Sequence, residues 1–288
     1  MQNSFQERNG APQLMTIQPE FRKFMELASQ YDAVPVSRQL LGDSLTPLSA
    51  FRRLDHGDTA CLFESVVGGE KIGRYSFLAL DPQRSMTAVR QQVTFTDGRQ
   101  KQTFESPNPW QELRDELAKV RVAPIDKLPP FVGGAVGFAG YDSVRYVEKL
   151  PNAPKDDRGI PDLSFSFYDR MIVFDNVTKT ITIIALAWPS RHTNDRNAYD
   201  EAVYRIERTI KQMNHPDADK DLQATDVVVA PTKPLSIVSE TSQEKFEKSV
   251  RTCVEYIQAG DIFQVVISQR MATPLKVEPL EIYRTLRV

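Results

Sequence analysis

The run DIFQVVISQR, residues 261–270, places polar groups where a strand would be expected to alternate. Read with period two, Ile262, Gln264, Val266, Ser268 and Arg270 share one face, while Phe263, Val265, Ile267 and Gln269 share the other. One face thus opens with three apolar residues, and the other carries an amide, a hydroxyl and a guanidinium. A strand with one face in water accounts for such a row. The alternative is a strand whose polar row lines a pocket. In LFESVV, residues 62–67, Phe63 and Ser65 point one way and Leu62, Glu64 and Val66 the other. A hydroxyl beside an aromatic suits a compact zwitterion, whose ammonium or carboxylate it can hydrogen-bond; a satisfied core serine is the plain alternative.

Other chemistry is weakly supported. His56, His192 and His215 stand alone in loop-like sequence, with no pair at metal-ligand spacing, and are read as surface residues. No metal site built from this chain alone is expected. GGAVGFAG, residues 133–140, has neither G-x-G-x-x-G order nor a following Gly-Lys-Ser/Thr, so its glycines are read as letting a neighbouring backbone come close. Neither Cys61 nor Cys253 belongs to a C-x-x-C pair or a glycine-rich elbow.

The elements that must position these residues show clear local signals. A helix is expected over 19–30, with Phe21, Phe24, Met25 and Ala28 on one face, followed by an extended VPVSRQLL. Thr46-Pro47 and Asn108-Pro109 each offer an N-cap followed by proline at the first helical position. Short runs such as TACLFESVV, YSFLAL, SMTAVR, VTFT and KQTFE, separated by turn residues, imply antiparallel pairing. MIVFDNVTKTITIIALA reads as a hairpin turning at Asp175-Asn176, and a helix spans Ala198 to Met213. A helix with Phe246, Val250, Cys253, Val254 and Ile257 in register stops at Gly260, where the opening strand begins. The fold class is α+β, mainly antiparallel sheets with packed helices.

The chain of 288 residues carries 36 basic and 38 acidic side chains, a formal charge of -2 that gives no general attraction to nucleic acid or anionic membrane. No run approaches a membrane span, the N-terminus lacks a signal peptide's apolar stretch, and two distant cysteines suit a reducing compartment. A cytoplasmic protein is expected. Residues 1–213 are read as one region, 214–238 as a polar, proline-bearing linker, and 239–288 as the start of a second region. LEIYRTLRV keeps helical spacing to its last residue, so a longer parent chain is expected.

Taken together, LFES with GGEKIGRYSFL, then GGAVGFAGYD, then YIQAGDIFQVVISQR, in this order and spacing, resemble component I of anthranilate synthase, the chorismate-using large subunit. The resemblance implies two interleaved subdomains. It makes 1–213 an N-terminal regulatory region that binds tryptophan and 239–288 the start of the chorismate-binding domain. It implies amination of chorismate by ammonia, with release of pyruvate, to give anthranilate, the first step of tryptophan biosynthesis. Feedback inhibition by L-tryptophan would act at Ser65, Glu64 and Phe63; Phe63 replaces the family's usual leucine. Gln264 takes the position where water-using relatives carry a lysine, which implies a catalytic role in placing ammonia. Magnesium is implied, with ligands outside these residues. So are a glutamine amidotransferase component II as ammonia source and a hetero-oligomer, in form a heterotetramer. The 288 residues alone are expected to be inactive on chorismate. Aminodeoxychorismate synthase component I is the nearest enzymatic alternative, and a non-catalytic tryptophan-sensing or docking module the alternative of another class.

Overall fold

In the computed structural model, which describes residues 17–55, 60–65, 73–215 and 235–287, the cap signals are realised in two different ways. Thr46 forms a reciprocal capping box with Ser49, each side chain accepting from the other's backbone N–H, and starts helix α2, Pro47–Leu54. Asn108 precedes helix α3, Pro109–Ala118, but its side chain makes no cap bond, and its Oδ1 is buried without a partner. Ser106 has taken over the local bonding: its Oγ accepts from the Asn108 N–H at 3.3 Å and donates to Glu112 at 2.8 Å. The proline at the first helical position is common to both, because its missing N–H has no role there.

The chain divides into two compact units, residues 1–223 and 224–288. In the first, helix α1 is Phe21–Ala28, and β1 (Val34–Leu41), β2 (Cys61–Phe63) and β3 (Tyr75–Ala79) join β9 (Arg170–Asp175) and β10 (Thr180–Ala187). They form a five-stranded antiparallel sheet in the order β1-β10-β9-β3-β2. A second five-stranded sheet is built from β4 (Arg84–Val89), β5 (Gln92–Asp97), β6 (Gln100–Glu105), β7 (Gly134–Ala139) and β8 (Leu163–Tyr168), in the order β6-β5-β4-β8-β7. Strand β8 was not anticipated from sequence, although LSFSFY alternates.

The central strands of the first sheet are apolar on both faces because both are covered. Leu78, Ile172, Phe174 and Ile183 face α1, α2 and helix α4, Asp195–Met213, where Phe24, Ala202 and Ile206 meet them. Ala79, Met171, Val173 and Ile184 face the other way, against Leu128, Phe131 and Val136. In the second sheet Met86, Ala88, Val93 and Phe95 pack with Leu113 and Trp110 of α3. Each fully buried aliphatic or aromatic side chain contributes roughly 1.5–3 kcal/mol.

Where the chain passes from β8 to β9, Asp169 is almost fully buried. It accepts from both terminal nitrogens of Arg205 on α4 and from Trp188 Nε1 at 3.1 Å. The next residue, Arg170, pairs with Asp81 and donates to Thr209 on α4 at 3.2 Å; burial pulls its pKa down, opposed by the Asp81 charge. These bonds fix α4 over the sheet.

The second unit contains β11 (Val238–Ser239), helix α5 (Gln243–Ala259), β12 (Met271–Ala272) and helix α6 (Pro279–Leu286). No helix among the described residues is long and apolar enough to cross a membrane.

Candidate functional site

Helix α5 delivers the chain to Gln264. Ser242 caps it by accepting from the Lys245 N–H at 3.3 Å, and Gly260 ends it in the left-handed conformation at φ 83°. The N–H groups of Gly260 and Asp261 then satisfy the carbonyls of Ile257 and Tyr256 at 3.2 and 3.0 Å. Glycine is needed here because a side chain in this conformation meets the following carbonyl.

The strand expected over 262–270 does not form. Among the described residues from 262 onward, only Met271 and Ala272 pair in a ladder, with Ser239 and Val238. A strand needs a neighbour for its N–H and C=O groups, and this is the ladder the described residues provide to that segment. The expected apolar row is therefore uncovered, with Phe263 93% exposed, and Gln264 is exposed as well. Gln264 makes no hydrogen bond among the described residues, so its amide is available to a ligand. Arg270, expected on the same row, is drawn instead into an ion pair with Glu240.

The second candidate group lies at the edge of the first sheet. The β2 ladder stops where Phe63 faces Phe77, so the alternation expected to run through Glu64 and Ser65 ends before them. Cys61 packs on one face of the sheet and Leu62 on the other, while Phe63 is 55% exposed. Val66 lies outside the described residues. The Ser65 N–H then donates to Ser76 Oγ on β3 at 3.4 Å, a side chain standing in for a ladder carbonyl. Asn176 donates its amide to the same hydroxyl and to the Gly73 carbonyl, each at 3.3 Å.

Ser65, Ser76 and Asn176 thus form one polar cluster, of which the sequence reading named only Ser65. The available signal was Ser76 itself, a hydroxyl on the row that otherwise holds Leu78 and Leu80. Phe63, Glu64 and Ser65 stay together as neighbours in the chain. Gln264 belongs to the other compact unit.

Cys61 is unsuited to nucleophilic work, because burial pushes its thiol up despite the backbone N–H of Ala79. His192 is paired, its Nε2 lying 2.7 Å from a Glu201 oxygen; His56 lies outside the described residues. Among the described residues no three His, Cys, Asp or Glu side chains gather as a metal site. The described residues do not fit magnesium. In β7 a Cβ on Gly137 would lie 1.9 Å from the Ser164 carbonyl oxygen, so the glycine-rich run serves strand packing there.

The profile of the chorismate binding enzyme family matches residues 64–288. That match starts at Glu64, well inside the first compact unit. Anthranilate synthase component 1 of Acinetobacter calcoaceticus is 39% identical over 265 residues, covering 89% of this chain and 50% of its own. The protein of the same name from Acetivibrio thermocellus is 35% identical over 267 residues, covering 91% and 53%. The crystal structure of anthranilate synthase component I from Streptococcus pneumoniae TIGR4 superposes with a TM-score of 0.59 at 27% identity, covering 86% of this chain and 51% of that one. The chain spans about half the length of the relatives it matches. It belongs to the chorismate binding enzyme family and is homologous to anthranilate synthase component I.

Proposed function

We propose that the protein works as the large subunit of an anthranilate synthase, converting chorismate and ammonia to anthranilate, pyruvate and water. The observation that carries this reading is the likeness to anthranilate synthase component 1 over some nine-tenths of the chain. Ammonia would attack C2 of chorismate as the 4-hydroxyl leaves, and elimination of the enolpyruvyl group as pyruvate would make the ring aromatic.

Gln264 is the group this chain offers to that chemistry. A primary amide cannot remove a proton from water near neutral pH, whereas a lysine of lowered pKa can. Ammonia needs no base: its N–H donates to the amide Oε1, which leaves the lone pair free to face the ring carbon. Glutamine at this place therefore favours an amine-transferring enzyme over a hydrating one. A glutamine amidotransferase partner would supply the ammonia within a hetero-oligomer. In this reading residues 1–213 are regulatory, 214–238 connect, and 239 onward begins the catalytic region.

L-tryptophan as feedback inhibitor would bind at Phe63, Glu64 and Ser65. The half-exposed Phe63 ring offers a wall, Glu64 a partner for an ammonium group, and Ser65 a hydroxyl for a carboxylate.

The test is the protein expressed from its complete reading frame, given chorismate and an ammonium salt, with anthranilate followed by fluorescence and pyruvate by a coupled assay. Equimolar anthranilate and pyruvate are expected, with formation reduced at least about tenfold in Gln264→Ala. Accumulation of a product aminated at C4, without pyruvate, would overturn the assignment in favour of an aminodeoxychorismate synthase.

A further inference from the structure

Among the described residues, the segment that carries Gln264 follows the capped end of α5 and enters a ladder only at its C-terminal side. Beyond the paired residues Val238–Ala272 and Ser239–Met271, the Glu240 N–H continues the ladder by donating to the Arg270 carbonyl at 3.1 Å. Ser239 Oγ lies within hydrogen-bond reach of both the Thr241 carbonyl at 2.8 Å and Gln269 Oε1 at 3.2 Å. The Arg270 guanidinium turns back onto the Glu240 carboxylate.

The charges on these two stretches are unusual for their scarcity. From 235 to 242 the sequence is LSIVSETS, in which Glu240 is the lone charged residue. From 262 to 275 it is IFQVVISQRMATPL, in which Arg270 is the lone charged residue. Sliding one strand by one residue would set Gln269 or Met271 opposite Glu240, and sliding by two would set Ser268 or Ala272 there. Only the observed register joins opposite charges.

We propose that Glu240 and Arg270 form a register latch, and that both are positioning residues for Gln264. Short ladders are weakly specified by their backbones, because every register satisfies similar numbers of N–H and C=O groups. A unique charge pair breaks that degeneracy. The pair is 39% and 46% exposed, so water screens it and its effect on overall stability is small. Its effect on geometry is large. Gln264 lies six residues before Arg270, and a one-residue slip shifts the point from which its segment leaves the ladder by about 3.3 Å. Helix α5 amplifies this constraint, since Ser242 caps it only two residues after Glu240 and fixes where the return segment starts.

The consequence for ammonia placement rests on the role proposed for Gln264, whereas the register does not. Two readouts separate them. In the protein from its complete reading frame, Glu240→Arg should raise the KM for ammonium about tenfold at unchanged KM for chorismate. The exchange Glu240→Arg with Arg270→Glu should return it to within about twofold of the parent, and Arg270→Lys should stay near the parent value.

Independently, a Val238→Cys, Ala272→Cys pair should oxidise to a disulfide faster than a Val238→Cys, Met271→Cys pair. Adding Glu240→Arg should erase that preference, and adding Arg270→Glu as well should restore it. A preference unaffected by Glu240→Arg overturns the latch, whatever Gln264 does. If the preference behaves as expected but Gln264→Ala leaves ammonium kinetics unchanged, the latch stands and the role of Gln264 falls.

Discussion

Arg74 and Asp175 lock the end of the first sheet where β3 meets β9: the arginine Nε and Nη2 donate to one carboxylate oxygen, Oδ2, at 3.0 and 2.6 Å. The other oxygen takes the N–H groups of Val177 and Thr178 at 3.0 and 3.1 Å, which shapes the turn into β10. Burial by itself raises the Asp175 pKa, but the Arg74 and backbone hydrogen bonds outweigh it and hold the carboxyl down from 3.8 to about 2. A depressed carboxyl pKa contributes stability that is complete above its unfolded value and is lost as pH falls through the folded one. Between pH 4 and 2 the protein should therefore lose about 1–2 kcal/mol through this group. Urea unfolding across that window, in parent and Asp175→Asn, checks it: the parent curve should fall more steeply, and parallel curves would remove Asp175 from the account.

Gly137 gives a sharper expectation. It pairs with Phe165 across β7 and β8, and the space for its Cβ is filled by the Ser164 carbonyl and the Phe165 Cα, at 1.9 and 2.6 Å. Those are backbone atoms, so no rotamer change relieves the clash. Gly137→Ala should lower stability by about 2–3 kcal/mol, seen as a lower urea midpoint at unchanged slope.

Where a signal depended on neighbours in the chain, the sequence could be read almost directly. The Thr46 cap, the stop at Gly260 and the turn after Asp175 are all settled within a few residues. The α+β class and the antiparallel pairing followed from short alternating runs at close spacing. What failed needed partners from elsewhere. Residues 262–270 alternate as a strand should, yet alternation says nothing of who supplies the ladder. Asn176 stands beside Ser76 and Ser65 only because the sheet joins segments about a hundred residues apart, and the Asn108 side chain makes no cap bond although its residue type suits one.

The β8 to β9 passage offers a test of how α4 is held. Asp169 is buried and accepts from both Arg205 and Trp188, so removing its carboxylate leaves a guanidinium with only 18% exposure and no counter-charge at that place. Loss of one partner of a buried pair is expected to cost about 3–5 kcal/mol. Asp169→Ala should lower the melting temperature accordingly and shift Trp188 emission, with Trp188→Phe identifying that signal. A change below about 1 kcal/mol would mean that Arg205 finds water or another carboxylate without difficulty.

Ser65 carries the test of inhibitor binding. Its N–H is held by Ser76 at 3.4 Å, while its hydroxyl makes no hydrogen bond among the described residues. The backbone position is thus anchored independently of the side chain, so a larger side chain can be carried without undoing the cluster. Ser65→Arg puts a long cation where the hydroxyl would meet tryptophan. In the protein from its complete reading frame, the tryptophan concentration giving half-inhibition should rise at least about tenfold, at unchanged KM for chorismate. Ser76→Ala should have a smaller effect of the same sign, since it removes the anchor and leaves the Ser65 hydroxyl in place. Inhibition of Ser65→Arg at the parent concentration of tryptophan would place the effector elsewhere, and equal effects of the two substitutions would mean that Ser65 acts through backbone position, not through its hydroxyl.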